Sequence, residues 1–156
     1  MNEEVKSGLG GWLILVGIGV VFGPIKLANH IKIYFQSFQD GSFDLLTTPG
    51  SGYYVPGYKS LFYGEFWINL ISLVFGLFLI YLFFSKKALF PKLYIFLAVF
   101  SLFFIIVDLY LFHLVFPNEV IFDQETIRDT FAALFVVLIW VSYMRISRRV
   151  KATFVN

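Results

Sequence analysis

Four long apolar stretches, separated by short polar ones, set the pattern along this chain. They cover about residues 10–35, 60–84, 92–116 and 127–146. Each reaches the ~20 mostly apolar residues that a helix needs to cross the hydrocarbon core of a bilayer. Backbone polar groups in lipid must be satisfied within the spanning structure, so these runs predict four helices rather than a closed barrel. The breaks are chemically marked. Ser85-Lys86-Lys87 closes the second run and Pro91 opens the third. Phe116-Pro117-Asn118 ends the third, because proline disfavours helix at the residue before it. Thr126-Ile127-Arg128-Asp129 has capping-box spacing and predicts where the fourth begins. Trp12, Tyr34, Tyr94 and Tyr143 fall near span ends, as interfacial anchors do. The longest connection, residues 36–59, is rich in turn formers yet carries Phe43, Tyr53, Tyr54 and Tyr58. It reads either as a packed cap on the bundle or as a binding lid, since long loops are often functional.

Polar and small residues inside the spans recur at helical spacing. Gly19, Gly23, Lys26 and His30 share one face of the first span. Its Gly-xxx-Gly spacing predicts close approach of another helix. Glu65, Asn69, Ser72 and Gly76 form a stripe on the second span, with Gly76 a third packing glycine. Ala98, Ser101 and Asp108 share a face of the third, and Arg128 and Ala132 begin the stripe of the fourth. Each helix therefore has one polar or small face, which predicts a bundle whose remaining faces meet lipid.

Depth follows from the helical rise. Lys26 lies roughly 13 Å, and Asp108 roughly 12 Å, inside the outer boundary, at ~1.5 Å per residue. Lys26, His30, Glu65, Asn69, Asp108 and Arg128 thus gather in the outer half as a buried polar cluster. A lone charge in the membrane is costly, so pairing is expected. Shared depth suggests Lys26 with Asp108 and Arg128 with Glu65. Two readings stand side by side: ion pairs that fix helix register, or a cavity open outward that binds a polar ligand. Pro24, inside the first span, is expected to free the Val20 carbonyl and kink the helix before Lys26.

Composition changes the picture in one direction. Hydrophobic residues make up 59% and mean hydropathy is +0.81, whereas soluble domains hold roughly 45–50% apolar residues. Lipid must be the solvent for much of the surface. A net charge of +2 gives no case for nucleic acid. With no cysteine and only His30 and His113, thiolate chemistry, disulfides and cysteine- or histidine-rich metal sites drop out, and neither a metal nor another cofactor is expected. The first apolar run is too long for a signal-peptide core and no small-x-small site follows it, so it reads as an uncleaved span. Four spans put both termini on one side, which also carries Lys6, Lys86, Lys87, Lys92, Arg145, Arg148, Arg149 and Lys151. The positive-inside rule makes that side the cytoplasm.

Gly10-Gly11-Trp12-Leu13-Ile14-Leu15, with Gly19 and Pro24-Ile25-Lys26-Leu27, resembles the start of a bacterial membrane family catalogued as domain of unknown function 2569. Trp140-Val141-Ser142-Tyr143 and Ser147-Arg148-Arg149-Val150-Lys151-Ala152-Thr153-Phe154-Val155 resemble the same family's basic end. Length and span layout agree over essentially the whole chain. The resemblance implies a four-helix bacterial inner-membrane protein and brings no catalytic residues.

The sequence therefore predicts one all-α domain, an integral-membrane four-helix bundle, both termini cytoplasmic. Intramembrane aspartate chemistry needs two deep aspartates where only Asp108 is deep, so no enzyme is expected. The leading expectation is a non-enzymatic protein binding a membrane partner, itself or lipid; the alternative is a small transporter or ion-coupled carrier using the polar cluster. Arg145, Arg148, Arg149 and Lys151 could mark topology or bind anionic headgroups, each basic residue contributing roughly 1 kcal/mol at such a surface.

Overall fold

The computed structural model describes residues 7–156, and every structural statement below concerns those residues. Met1 to Lys6, including the lysine counted among the basic residues above, lie outside them. Four helices are long and apolar enough to cross a membrane. The first, α1, runs Trp12–Gln39. A short helix, α2 (Ser42–Thr47), follows it. The second and third crossings are α3 (Tyr58–Phe84) and α4 (Phe90–Val115). The fourth is composite: α5 (Gln124–Phe135) passes through a π-helical turn at Val136–Val141 into α6 (Ser142–Ile146). A last short helix, α7 (Arg148–Thr153), turns back under the bundle. No strand occurs among the described residues.

The fourth crossing starts earlier than the capping-box spacing predicts. Asp123, not Thr126, is the N-cap, and its Oδ1 accepts from the Thr126 amide at 2.7 Å. Asp129 is thereby released from capping and comes to lie a turn and a half inside the helix. α1 runs unbroken through Pro24. The proline ring packs on α3: a Cβ added to Gly76 would stand 2.9 Å from Pro24 Cγ. Only glycine allows that approach.

Packing follows the chain, α1 on α3, α3 on α4, and α4 on α5 and the π turn. α1 and α5 are not among the closely packed pairs. Protein covers little of these helices, and none of α4's most apolar window is buried. Lipid must cover such faces, since water would leave large contiguous apolar surface exposed.

The main core lies at the end of the bundle that holds both described chain ends. Leu13, Val16, Leu82, Phe83, Phe90, Met144, Val150 and Phe154 are buried together there. Phe154 stacks on Phe90 with ring centroids 4.6 Å apart. The ends are also tied by polar contacts. The Gly8 amide donates to Thr153 Oγ1 at 2.9 Å, and the Ala88 amide donates to the Asn156 carbonyl at 2.7 Å. The Arg149 guanidinium lies on the Gly10-Gly11 backbone, where added Cβ atoms would come within 3.1 and 2.6 Å of it. Gly11 also has φ +60°, which favours glycine for a second reason.

The opposite end has a smaller, aromatic core. Phe43 of α2 is buried against Phe38 and Phe62, with ring centroids 4.8 Å apart in both cases. The Val55 amide returns to the Leu46 carbonyl at 3.0 Å. The long connection is therefore a packed cap over α1 and α3, held by aromatic contacts.

Candidate functional site

Between these two packed ends the bundle is hollow. A cavity of about 350 Å³ is lined by Gly23, Lys26, His30, Asn69, Ser72, Ser101 and Asp129, among others. A second, of about 310 Å³, is lined by Gly19, Pro24, Gly76, Leu79, Tyr94, Leu97 and Ala98. Both include Gly23, Leu27, Ser72, Ser101, Ala133 and Val136, so they are two parts of one cleft along the bundle axis. The first part is polar at its rim. The second is mainly apolar and leads toward the terminal core.

Much of the stripes read from the sequence lines this cleft, but Glu65, Asp108 and Arg128 do not. Its walls carry glycine, alanine and serine, which leave space between helices whose outer faces carry large apolar side chains. Gly19 and Gly23 are a correction to the sequence reading. A Cβ added to either meets nothing within 4 Å, so this Gly-xxx-Gly face borders the cleft and not a helix contact. Close approach occurs at Gly76, against Pro24, and at Gly17, where a Cβ would come 2.9 Å from Phe83.

The ion pairs differ from those that depth suggests. Lys26 Nζ lies 2.6 Å from Asp129 Oδ2, not on Asp108. The two side chains are 58% and 32% exposed, so the pair sits at the rim of the cleft facing the gap between α1 and α5. Arg128 Nε stands 3.4 Å from Asp129 Oδ1 with its side chain 69% exposed. The face of α5 that lines the cleft is thus Asp129, Ala132, Ala133 and Val136, one helical stripe displaced from the one expected to begin at Arg128.

Glu65 and Asp108 are brought together instead. Both line a cavity of about 210 Å³ between α3 and α4. Tyr34 donates its hydroxyl to Glu65 Oε2 at 2.9 Å. Asn69 Nδ2 donates to the Glu65 backbone carbonyl at 2.9 Å and reaches the Tyr34 hydroxyl at 3.5 Å. Asp108 Oδ1 is buried with no donor facing it. Ile68, Phe100 and Phe104 line both this cavity and the cleft, forming the wall between them. His30 lies at the cleft rim beside Lys26.

Of the basic tail, Arg145, Arg148 and Lys151 are exposed. Arg149 is half-buried on the glycine pair, with its Nε buried and without a partner. It belongs to the closure of the terminal end, not to an open headgroup-binding face. Tyr34 and Asp129 are the site residues that sequence reasoning missed. Tyr34 is taken for an interfacial anchor and Asp129 for a cap, although Asp129, Ala132 or Ala133, and Val136 have the spacing of an inward stripe.

The motifs at the two chain ends that carry the family resemblance are thus in contact: the glycine pair lies under Arg149, and Trp12 and Trp140 have ring centroids 6.2 Å apart. No curated protein and no solved structure matches the chain. The family described as "Protein of unknown function (DUF2569)" matches residues 6–155, nearly the full length, and the chain belongs to that family.

Proposed function

We propose that this is a non-enzymatic, multi-pass membrane protein that binds an amphiphile from the bilayer in the cleft between α1 and α5. One observation carries the reading: the cleft has a charged rim at Lys26 and Asp129, an apolar interior at Leu79 and Leu97, and a side where α1 and α5 are not closely packed. Its two parts, about 350 and 310 Å³, match ligand pockets of roughly 300–1,000 Å³, which are mostly apolar with a few placed polar groups. A molecule with one polar and one apolar end would enter from the lipid without crossing water. The membrane is the inner membrane of a bacterium, with both termini in the cytoplasm. There Arg145, Arg148 and Lys151 face anionic headgroups.

Filling the cleft tests the reading. Gly23→Leu puts a side chain into open space, so the variant should fold and melt like the parent while losing co-purified lipid. Gly76→Leu should destabilise, because overpacking against the rigid Pro24 ring typically costs about 1–3 kcal/mol. Lipid retained by a folded Gly23→Leu variant would sink the proposal. Glu65 and Asp108, two carboxyls lining one cavity between α3 and α4, favour a second reading, an ion-coupled carrier. A proton flux through reconstituted vesicles that Glu65→Gln abolishes would select it.

A further inference from the structure

The charges at the rim of the cleft are not equally engaged, and that sets which headgroup it can accept. Asp129 is the one carboxylate that lines the cleft among the described residues, and each of its oxygens already holds a cation. Oδ2 accepts from Lys26 Nζ at 2.6 Å, and Oδ1 accepts from Arg128 Nε at 3.4 Å. Lys26 spends one N–H on that bond and, as an ammonium with three donors, keeps two. Its side chain is 58% exposed, so the ammonium has room to meet a ligand at the gap between α1 and α5. Ser72 of α3 and Ser101 of α4 line both parts of the cleft, where the two join. Among the described residues no hydrogen bond engages either hydroxyl. From this junction the lining turns apolar toward Leu79 and Leu97.

An anion fits this arrangement. It can take the unspent donors of Lys26 while the bond to Asp129 stays in place. Where Lys26 turns fully to the anion, Asp129 keeps Arg128. Hydrogen bonds between an ammonium and a phosphate oxygen are charge-assisted, and so stronger than those a neutral headgroup would make. A cationic group would have to displace Lys26 or Arg128 from the one carboxylate. We propose that the cleft binds an anionic phospholipid by its phosphodiester. The phosphate sits on Lys26, the ester region at Ser72 and Ser101, and an acyl chain runs toward Leu79 and Leu97. The lipid then points its head toward the aromatic cap and its tail toward the terminal core. Its way in is on the cap side. α1 continues for 13 residues beyond Lys26, whereas α5 begins only five residues before Asp129. At ~1.5 Å per residue, α1 projects about 12 Å past the start of α5, and the step leaves the rim within reach of a headgroup. This rests on the amphiphile-binding reading and adds the class of the headgroup.

The full-length protein in a nonionic detergent would be titrated with three short-chain lipids that share the same acyl chains. Their headgroups are anionic phosphoglycerol, zwitterionic phosphoethanolamine and the uncharged glycerol hydroxyl. Binding would be read by native mass spectrometry and by the shift in melting temperature. The phosphoglycerol lipid should bind at least about tenfold more tightly than either of the others. Lys26→Met should bind all three equally and at the weaker level, and Lys26→Arg should keep the parent's preference. The arginine variant keeps the test decisive if the methionine variant fails to fold. Lys86→Gln/Lys87→Gln removes twice the charge at the terminal end and should also keep the preference. Equal binding of the three lipids by the parent, or a preference for phosphoethanolamine, would overturn the headgroup assignment while leaving the cleft as a lipid site. Binding of none of them would overturn the cleft reading as well. A folded Lys26→Met variant that keeps the preference, or a folded Lys26→Arg variant that loses it, would show that the cation at the rim does not make the choice.

Discussion

Lys26 takes its partner from the helix that the bundle leaves open. Fourteen residues of α1 precede it and thirteen follow, and Asp129 is the acid at 2.6 Å. That a buried-looking lysine needs an acid is legible from cost alone; which acid is not. Depth counted from span ends points to Asp108, because Asp129 has the spacing of a cap and the balance of signs pairs each acid with a base. In the structure Asp123 does the capping, and Asp108 shares a cavity with Glu65. The consequence is measurable. Lys26→Met and Asp129→Asn should each lower stability by on the order of 1 kcal/mol, a figure kept small because the pair is partly open to its surroundings. The double change should recover most of that loss. Asp108→Asn should be close to neutral, since the buried Asp108 Oδ1 has no hydrogen-bond partner to lose. Additive losses from Lys26 and Asp129, or a cycle that closes with Asp108 instead, would contradict the pairing.

Helices were the most legible level, because four apolar runs of this length in lipid leave the backbone no other solution. Their ends moved by a few residues: α1 reaches Gln39 where the pattern stopped near residue 35, and the fourth crossing begins at Gln124. Facing glycines were legible as an inward stripe, but a stripe cannot say whether it meets a helix or a space, and Gly19 and Gly23 meet a space. The π turn at Val136–Val141 was not legible, since an apolar run looks the same in either helix type. It has a use. One extra residue per turn sets the register between Asp129, Ala133 and Val136, which line the cleft, and Met144, which reaches the terminal core. Such turns are frequent at functional sites. Deleting the lipid-facing Leu138 should remove that extra residue, convert the turn to α-helix and leave both flanks nearly in place. Deleting Ile106, equally lipid-facing in α4, would rotate everything beyond it by about 100°. Thermal melting in detergent should fall far less for the first deletion than for the second. Equal losses would mean the π turn is not an accommodated insertion.

At the scale of the whole molecule the protein is packed at its two ends and hollow between them, and the ends differ in chemistry. One end is an aromatic cap built from α1, α2 and α3. The other is a closure in which residues far apart in sequence meet, Gly8 with Thr153 and Ala88 with Asn156. No local pattern foretells those contacts; the two end motifs were visible, their meeting was not. The closure places both described chain ends on one side of the membrane, and Lys86, Lys87, Arg145, Arg148, Arg149 and Lys151 lie at that same end. The far end carries Lys32, Lys59 and Arg128. Basic residues in short flanking segments orient a multi-span protein with the richer side in the cytoplasm. A reporter active only in the cytoplasm should therefore work when fused after Asn156, and one active only outside should work when inserted between Gly50 and Gly52. The closure adds a stricter condition: a second cytoplasmic reporter ahead of Gly8 must agree with the one after Asn156, because the Gly8–Thr153 contact cannot form across a bilayer. Disagreement between the two termini would refute the closure itself, whereas agreement on the outer side would refute only the orientation.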